Sequence, residues 1–131
     1  MDVTPGLFLA LCLGGGLGSM ARASLAGWMA RYGAAVLAIY LVNLSGSFLI
    51  GLSFGLQIDA GTGPGISEPD FAFFAIGFLG GYTTVSTHAL QVLDRWQGGQ
   101  RRAAITLALG AVLSCPLAAV LGAQIVLQGG G

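Results

Sequence analysis

Four long apolar segments, separated by short polar stretches, limit what this chain can fold into. They lie at about residues 7–27, 34–56, 71–93 and 103–127. Each segment is long enough to cross a hydrocarbon core about 30 Å thick as a helix. Backbone amides and carbonyls find no water inside a bilayer, so spanning segments must form helices or closed barrels. We therefore predict an all-α membrane protein, with one domain of four transmembrane helices over residues 1–131.

Composition excludes several classes of protein. Charged residues make up 8% of the chain, whereas a soluble domain carries about 25%. The net charge is zero and lysine is absent, which argues against nucleic acid as a partner. The sequence offers no combination of nucleophile, base and orienting group, so we predict that the protein is not an enzyme. Cys12 and Cys115 lie in apolar segments, and their spacing predicts packing roles rather than a zinc or redox site.

The third apolar segment contains a stretch that does not favour an uninterrupted helix. Two adjacent glycines precede four hydroxyl side chains, in the order Gly80, Gly81, Thr83, Thr84, Ser86 and Thr87. Adjacent glycines and β-branched threonines both loosen a helix. A broken helix is tolerated in a membrane where its exposed backbone lines a cavity or an ion path. We therefore predict a break at mid-membrane, which indicates a channel or a transporter.

Other polar side chains inside the apolar segments are candidates for lining an ion path. Asn43 and Ser47 lie one helical turn apart, and the Asn43 amide either bonds to a neighbouring helix or donates to an anion. His88, the only histidine, is either a neutral ring bonded to a hydroxyl or an ionisable functional group. Thr106 and Ser114 recur on one face of the fourth segment.

The placement of arginine predicts how the chain is oriented. Arg22, near the end of the first segment, either reaches the membrane interface, caps its own helix or bridges to another segment. With four spans, all five arginines lie on the side of the first and third loops. The termini and the middle loop carry none, and the middle loop holds three acidic residues. The positive-inside rule then places the first and third loops in the cytoplasm and both termini outside.

Taken together, these motifs resemble the Fluc (CrcB) family of fluoride channels. The matching stretches are Gly15-x-x-Gly18-Ser19-x-x-Arg22, Asn43-x-x-Gly46-Ser47-Phe48-x-x-Gly51 and Gly77-Phe78-x-Gly80-Gly81-x-Thr83-Thr84-x-Ser86-Thr87. The third motif is highly specific, whereas the first alone would be weak. The resemblance covers nearly the whole chain and includes the four-span length.

The resemblance implies an antiparallel, dual-topology dimer in the bacterial inner membrane that exports fluoride passively and lowers cytoplasmic fluoride. It also implies a structural Na+ at the dimer centre, held by the backbone carbonyls of Gly80 and Thr83. Asn43 matches the family's pore-lining amide, and Arg22 matches its first-segment arginine, to which we assign a structural role. The predicted pore lining comprises Asn43, Ser47, Thr84, Val85, Ser86, Thr87, His88, Thr106 and Ser114.

Two departures from the family pattern concern the pore. The family usually has phenylalanine directly after the paired threonines and again three residues later, with the positive ring edges facing fluoride. This chain has Val85 and His88 at those positions. Its fourth segment also lacks the tyrosine of the family's polar track, for which Thr106 and Ser114 are partial substitutes.

The departures and the arginine bias together favour a heterodimer over a homodimer. A chain that inserts in both orientations should have little charge bias, and this chain has a strong one. We therefore predict a homologous partner of opposite orientation that supplies the aromatic side chains. The alternative function is a non-conducting subunit that only supports its partner's pores. A small drug exporter is less favoured, because it requires a glutamate in the first span and none is present.

Overall fold

The computed structural model describes residues 4–61 and 69–129. Within these ranges the chain is helical and contains no strand, which confirms the predicted all-α class. The helices are α1 (Pro5–Ala30), α2 (Ala35–Asp59), α3 (Pro69–Phe71), α4 (Leu79–Tyr82), α5 (Val85–Gln97) and α6 (Arg101–Gly129). A π-helical stretch, Ala72–Phe78, joins α3 to α4.

Three of the described helices are long and apolar enough to cross a bilayer. These are α1, α2 and α6, with 26, 25 and 29 residues and mean hydropathies of 1.3, 2.0 and 2.2. Each ends two or three residues beyond the span predicted from sequence. Pro116 lies inside α6, which continues on both sides of it. The predicted third span is the one that does not form a continuous helix.

Local sequence signals account for where the helices begin and turn. Thr4 caps α1, since its Oγ1 accepts a hydrogen bond of 3.2 Å from Leu7 N, and Pro5 starts the helix. Gly33 has a φ of 72° in the turn between α1 and α2. Gly99 has a φ of 79° between α5 and α6. Both connections therefore depend on the left-handed region that glycine enters without strain.

The third segment is broken at its two threonines. Thr83 and Thr84 adopt extended backbone, with φ/ψ of −76°/154° and −153°/126°, between the end of α4 and the start of α5. Gly80 and Gly81 lie inside α4 and stay helical, so the break lies just beyond the glycines that we expected to loosen the helix. The sequence did not predict the π-helical stretch before them, although such bulges often occur at functional sites.

Glycines set the distance between α1 and the broken segment. A Cβ added at Gly18 would clash with the carbonyl oxygen of Phe78. A Cβ added at Gly81 would clash with the carbonyl oxygen of Gly15. Small residues permit this backbone-to-backbone packing in membranes. Gly81 is therefore required for close approach rather than for flexibility, which explains why it can remain helical.

The pair α2 and α6 forms the other packed layer and uses the same device. A Cβ at Gly51 would meet the Ala119 carbonyl, and a Cβ at Gly122 would meet the Phe48 carbonyl. The fully buried core is small, and Leu79 is its largest member. Most large apolar side chains of α1 and α6 point outward, as expected when lipid or a second subunit surrounds the helices.

Candidate functional site

Asn43 on α2 holds the backbone of the break. Its Nδ2 donates to the carbonyl oxygen of Thr84, and its Oδ1 accepts from Thr84 N, both at 2.8 Å. In a continuous α-helix, Thr84 N would donate to the carbonyl of Gly80. Asn43 therefore removes that amide from the helix. The Asn43 amide also keeps one N–H hydrogen for a further acceptor, because a side-chain amide has two.

A second amide at the break is diverted by the side chain of Thr84, which caps α5. Thr84 Oγ1 accepts from Thr87 N at 3.4 Å and donates to Thr87 Oγ1 at 3.3 Å. It also lies 3.2 Å from Ser86 Oγ. In a continuous helix, Thr87 N would donate to the carbonyl of Thr83. The hydroxyls of Ser86 and Thr87 thus cluster around Thr84.

The carbonyl of Gly81 is satisfied from α1. Ser19 Oγ and Arg22 Nε each donate to this oxygen at 3.3 Å. A continuous helix would supply Val85 N instead, but Val85 is the first residue of α5 and its amide lies beyond the break. Arg22 was expected to reach the membrane interface, cap its own helix or bridge to another segment. In the structure it bridges to the third segment through the Gly81 carbonyl.

The carbonyls of Gly80 and Thr83 therefore differ from that of Gly81. Both lose the amide that a continuous helix would give them, since Asn43 takes Thr84 N and Thr84 takes Thr87 N. Gly80 is also exposed on the surface of the subunit. The described residues contain no group of three or more His, Cys, Asp or Glu side chains able to hold a metal. Backbone carbonyl oxygens are among the ligands that hard cations take in proteins, so those of Gly80 and Thr83 are candidates.

A cavity of about 440 Å³ lies beside the break and gathers five of the predicted pore residues. These are Asn43, Ser47, Thr84, Val85 and His88. The remaining lining residues are Ile50, Thr83, Ala111, Val112, Cys115 and Pro116. Both ring nitrogens of His88 are buried and form no hydrogen bond with the described residues. Of the two alternatives for His88, a neutral ring bonded to a hydroxyl is therefore not found among the described residues.

The two predicted residues of the fourth segment lie outside this cavity. Thr106 lines a separate cavity of about 490 Å³ with Tyr40 and Arg95. Ser114 accepts a hydrogen bond of 2.9 Å from Tyr40 Oη and borders an apolar groove. Thr106 and Ser114 therefore do not line the cavity that contains Asn43. Tyr40 is near both of them, since it lines the Thr106 cavity and donates to Ser114.

The sequence patterns did not identify three residues that lie at or near the site. Tyr40 precedes Asn43 and Ser47 at helical spacing on α2, and that spacing was the signal that could have identified it. Cys115 lines the cavity, although its sequence context predicted only packing. Gly46 is close to the break, since an added Cβ there would clash with Thr83 Cγ2.

The face of α5 that follows the break is polar over its whole length. His88, Gln91 and Arg95 recur at helical spacing, which places them along one side of the helix. Gln91 Nε2 donates to the Ala35 carbonyl at 3.3 Å, whereas its Oε1 is buried without a hydrogen bond to the described residues. This face connects the cavity at the break with the turn between α5 and α6.

Known proteins similar in sequence to this chain point to one family. Residues 9–123 match the model of the family described as CrcB-like protein, Camphor Resistance (CrcB). A fluoride-specific ion channel FluC of Thermus thermophilus is 37% identical, with 88% of this chain and 89% of that protein aligned. FluC 2 of Nocardia farcinica is 34% identical over 90% of this chain and 83% of its own length.

A third relative extends the match over the full length of a known protein. FluC 2 of Brucella abortus is 36% identical, and the alignment covers 97% of this chain and all of that protein. Similarity at this level, over nearly the whole chain, accompanies three helices that can cross a membrane. The chain is a multi-pass membrane protein and belongs to the CrcB family.

Proposed function

We propose that this protein is a subunit of a fluoride channel that lets fluoride leave the cell passively. The observation that carries the proposal is the cavity beside the break, where Asn43, Ser47 and His88 meet inside a chain of this family. The relatives named above are called fluoride-specific ion channels. No carboxylate belongs to α1, which argues against the drug-exporter alternative.

In this proposal, the broken segment from α3 to α5 is the fourth membrane crossing. Its irregular backbone at Thr83 and Thr84 fits a membrane interior only if the protein itself satisfies it. The bonds from Asn43 to Thr84 and from Arg22 to Gly81 meet that requirement for three of the backbone groups, and the carbonyls of Gly80 and Thr83 are left for another ligand. With four crossings, the arginine bias puts both termini outside and the turn between α5 and α6 in the cytoplasm.

The pore would run along the polar side of the cavity. Moving an anion into a low-dielectric interior costs far more than any single hydrogen bond returns, so several donors must replace its water. The free N–H of Asn43, the hydroxyl of Ser47 and an N–H of His88 are such donors. Thr84, Val85, Ser86 and Thr87 would complete this part of the pore, and Thr106 and Ser114 would continue it along α6.

A Na+ ion at the centre of a dimer is the second component of the proposal. The residues present fit it, because the carbonyls of Gly80 and Thr83 lack their helical donors and Gly80 is exposed. A bound cation would lower the cost of placing anions nearby. The chain's own part is to present those two oxygens, which it does by diverting the amides of Thr84 and Thr87.

The partner in this dimer is proposed to be an antiparallel homologue rather than a second copy. Val85 is 83% exposed beside the cavity, which leaves its apolar side chain available to an aromatic side chain from another subunit. The arginine bias points the same way. A homodimer and a non-conducting supporting subunit are the alternatives.

The experiment is fluoride efflux from liposomes containing Na+, measured with a fluoride electrode. The chain is reconstituted alone, together with an oppositely biased homologue from the same genome, and with that homologue alone. We expect fast efflux only when both subunits are present. Efflux from this chain alone would replace the heterodimer by a homodimer. Equal efflux from the homologue alone and from the pair would show that the homologue conducts without this chain, which contradicts both the heterodimer and the supporting role. The absence of efflux in all three would contradict the proposed function.

A further inference from the structure

His88 has the least satisfied polar side chain in the described part of the chain. Nδ1 and Nε2 are both buried and neither forms a hydrogen bond there. Among residues 4–61 and 69–129, the only other buried side-chain N or O atom without a hydrogen bond is Gln91 Oε1, one turn further along α5. A buried polar group without a partner is destabilising, and a ring with two such atoms is more so. An imidazole in this position therefore indicates a ligand that the polypeptide does not provide.

The surroundings of His88 decide what kind of ligand it can take. From α2 it is faced by Asn43 and Ser47, which have hydrogens to donate. From α6 it is faced by Cys115 and otherwise by apolar groups. Cys115 is the one other titratable side chain among the lining residues, and no charged side chain lines the cavity. A protonated His88 would therefore have no carboxylate in this cavity to balance its charge.

The chemistry of imidazole then favours an anion. A neutral ring has one N–H donor, and a protonated ring has two. Fluoride has no proton to give and accepts hydrogen bonds only. A donor from His88, the free N–H of Asn43 and the hydroxyl of Ser47 could all point at the same accepting ion. Charge-assisted hydrogen bonds are about twice as strong as neutral ones, so the protonated ring is the better ligand.

We propose that His88 is a direct fluoride ligand and that proton binding and fluoride binding at this residue assist each other. The identity of the anion rests on the proposed function, whereas the unsatisfied imidazole and its surroundings do not. Because linkage is reciprocal, a ligand that prefers the protonated ring must bind more tightly as the pH falls. Fluoride efflux through this chain at low fluoride concentration would then be faster at acidic pH, and His88 is the only histidine in the sequence.

The first test measures binding without conduction. The chain is labelled with 15N-histidine, purified through a tag that contains no histidine, and combined with its unlabelled partner subunit. Its single imidazole then gives one set of signals. We expect NaF, and not NaCl, to shift these signals saturably. Half-saturation should need about tenfold less fluoride near pH 5.5 than near pH 8. No saturable shift, or equal half-saturation at the two pH values, would overturn the inference.

The second test measures fluoride efflux over the same pH range. Protein-free vesicles correct for leakage of undissociated acid at each pH. Efflux at a low fluoride concentration should be several-fold faster near pH 5.5 than near pH 8, and this ratio should fall to about one in His88→Gln. Ser53→Ala, whose hydroxyl donates to the Leu49 carbonyl within α2 and lies outside the proposed pore, should keep the wild-type ratio.

The outcomes separate the inference from the proposed function. Efflux that does not depend on pH would refute the inference and leave the channel proposal standing. The absence of efflux together with saturable fluoride shifts would keep His88 as a ligand and refute conduction.

Discussion

Asn43 and Thr84 lie 41 residues apart in sequence and are joined by two hydrogen bonds of 2.8 Å. One side chain therefore satisfies both the N–H and the C=O of a residue whose helix has been interrupted. The same pair of bonds takes Thr84 N away from the carbonyl of Gly80. This relationship links the helix break, the carbonyl of Gly80 and the cavity through the side chain of Asn43.

Asn43→Ala should destabilise the break. Two backbone groups of Thr84 would lose their partners, at about 1–3 kcal/mol for each buried group. We expect a lower midpoint of thermal unfolding in detergent micelles and no fluoride efflux. Ser53→Ala is the matched control, because Ser53 Oγ donates at 2.8 Å to the Leu49 carbonyl within the same helix and leaves no group unsatisfied.

Asn43→Asp separates the structural role of this amide from its role toward the anion. Aspartate keeps an acceptor for Thr84 N but loses the donor to the Thr84 carbonyl, and it adds a negative charge at the cavity. Efflux should be abolished, with a smaller loss of stability than in Asn43→Ala. Unchanged efflux in Asn43→Asp would remove Asn43 from the pore.

The position of the break shows what the sequence could and could not predict. Glycines next to threonines correctly indicated an interrupted helix, since those residue types weaken helices locally. Which residue leaves the helix depends on Asn43 reaching Thr84 from another helix, and a partner 41 residues away has no local signature. Gly81 stays helical for a similar reason, because its role is contact with Gly15.

The sequence likewise predicted some neighbours within the candidate site and not others. Helical spacing predicted that Ser47 and Asn43 share one face of α2, and in the structure both line the cavity at the break. The same spacing grouped Thr106 with Ser114, yet these residues serve different cavities. Spacing defines a face of one helix, whereas the neighbour of that face is set by how helices pack. Glycine contacts between α2 and α6 determine that packing, and their partners cannot be read from one sequence.

Arg22→Ala should destabilise the contact between α1 and α4. The carbonyl of Gly81 would keep only Ser19 as a donor, and the charge-assisted bond from Arg22 contributes about 1.5–3 kcal/mol. Ser19→Ala should cost less, about 1 kcal/mol, because its hydroxyl is neutral. Unfolding of the two single variants and the double variant gives the coupling between them.

The two donors share one acceptor, so their effects should not be additive. The double variant leaves the Gly81 carbonyl without either bond and should lose more stability than the sum of the single variants. Additive losses would mean that Arg22 and Ser19 act independently of this carbonyl.

Gly18→Ala should prevent α1 from packing against the broken segment. The new Cβ would clash with the backbone oxygen of Phe78, which has no side-chain freedom with which to move away. Gly16→Ala is the matched control on the same helix, since nothing lies within 4 Å of a Cβ there. Size-exclusion chromatography and thermal unfolding should show a less stable Gly18→Ala and an unimpaired Gly16→Ala. Equal behaviour of the two variants would contradict the close packing of α1.

Arg95→Gln should slow fluoride entry by weakening the positive potential at the end of α5. Arg95 lines the cavity that contains Thr106 and is half-buried, with one donor already bonded to Gln100 Oε1 at 3.2 Å. Clefts lined by one sign of charge raise the local concentration of the opposite ion, and salt screens this effect. We expect efflux to fall about threefold at about 0.01 M ionic strength and little at about 0.5 M.

Arg31→Gln is the control for Arg95→Gln, because it removes the same charge from the other turn that carries arginine. Arg31 lines neither the Thr106 cavity nor the cavity at the break. Its efflux should match that of the wild type at both ionic strengths. If both substitutions slow efflux equally, the arginines act through the overall charge of the side that carries both turns rather than through this cavity. A defect in Arg95→Gln that is independent of salt would instead indicate that Arg95 positions Gln100 and the turn, with no steering of the anion.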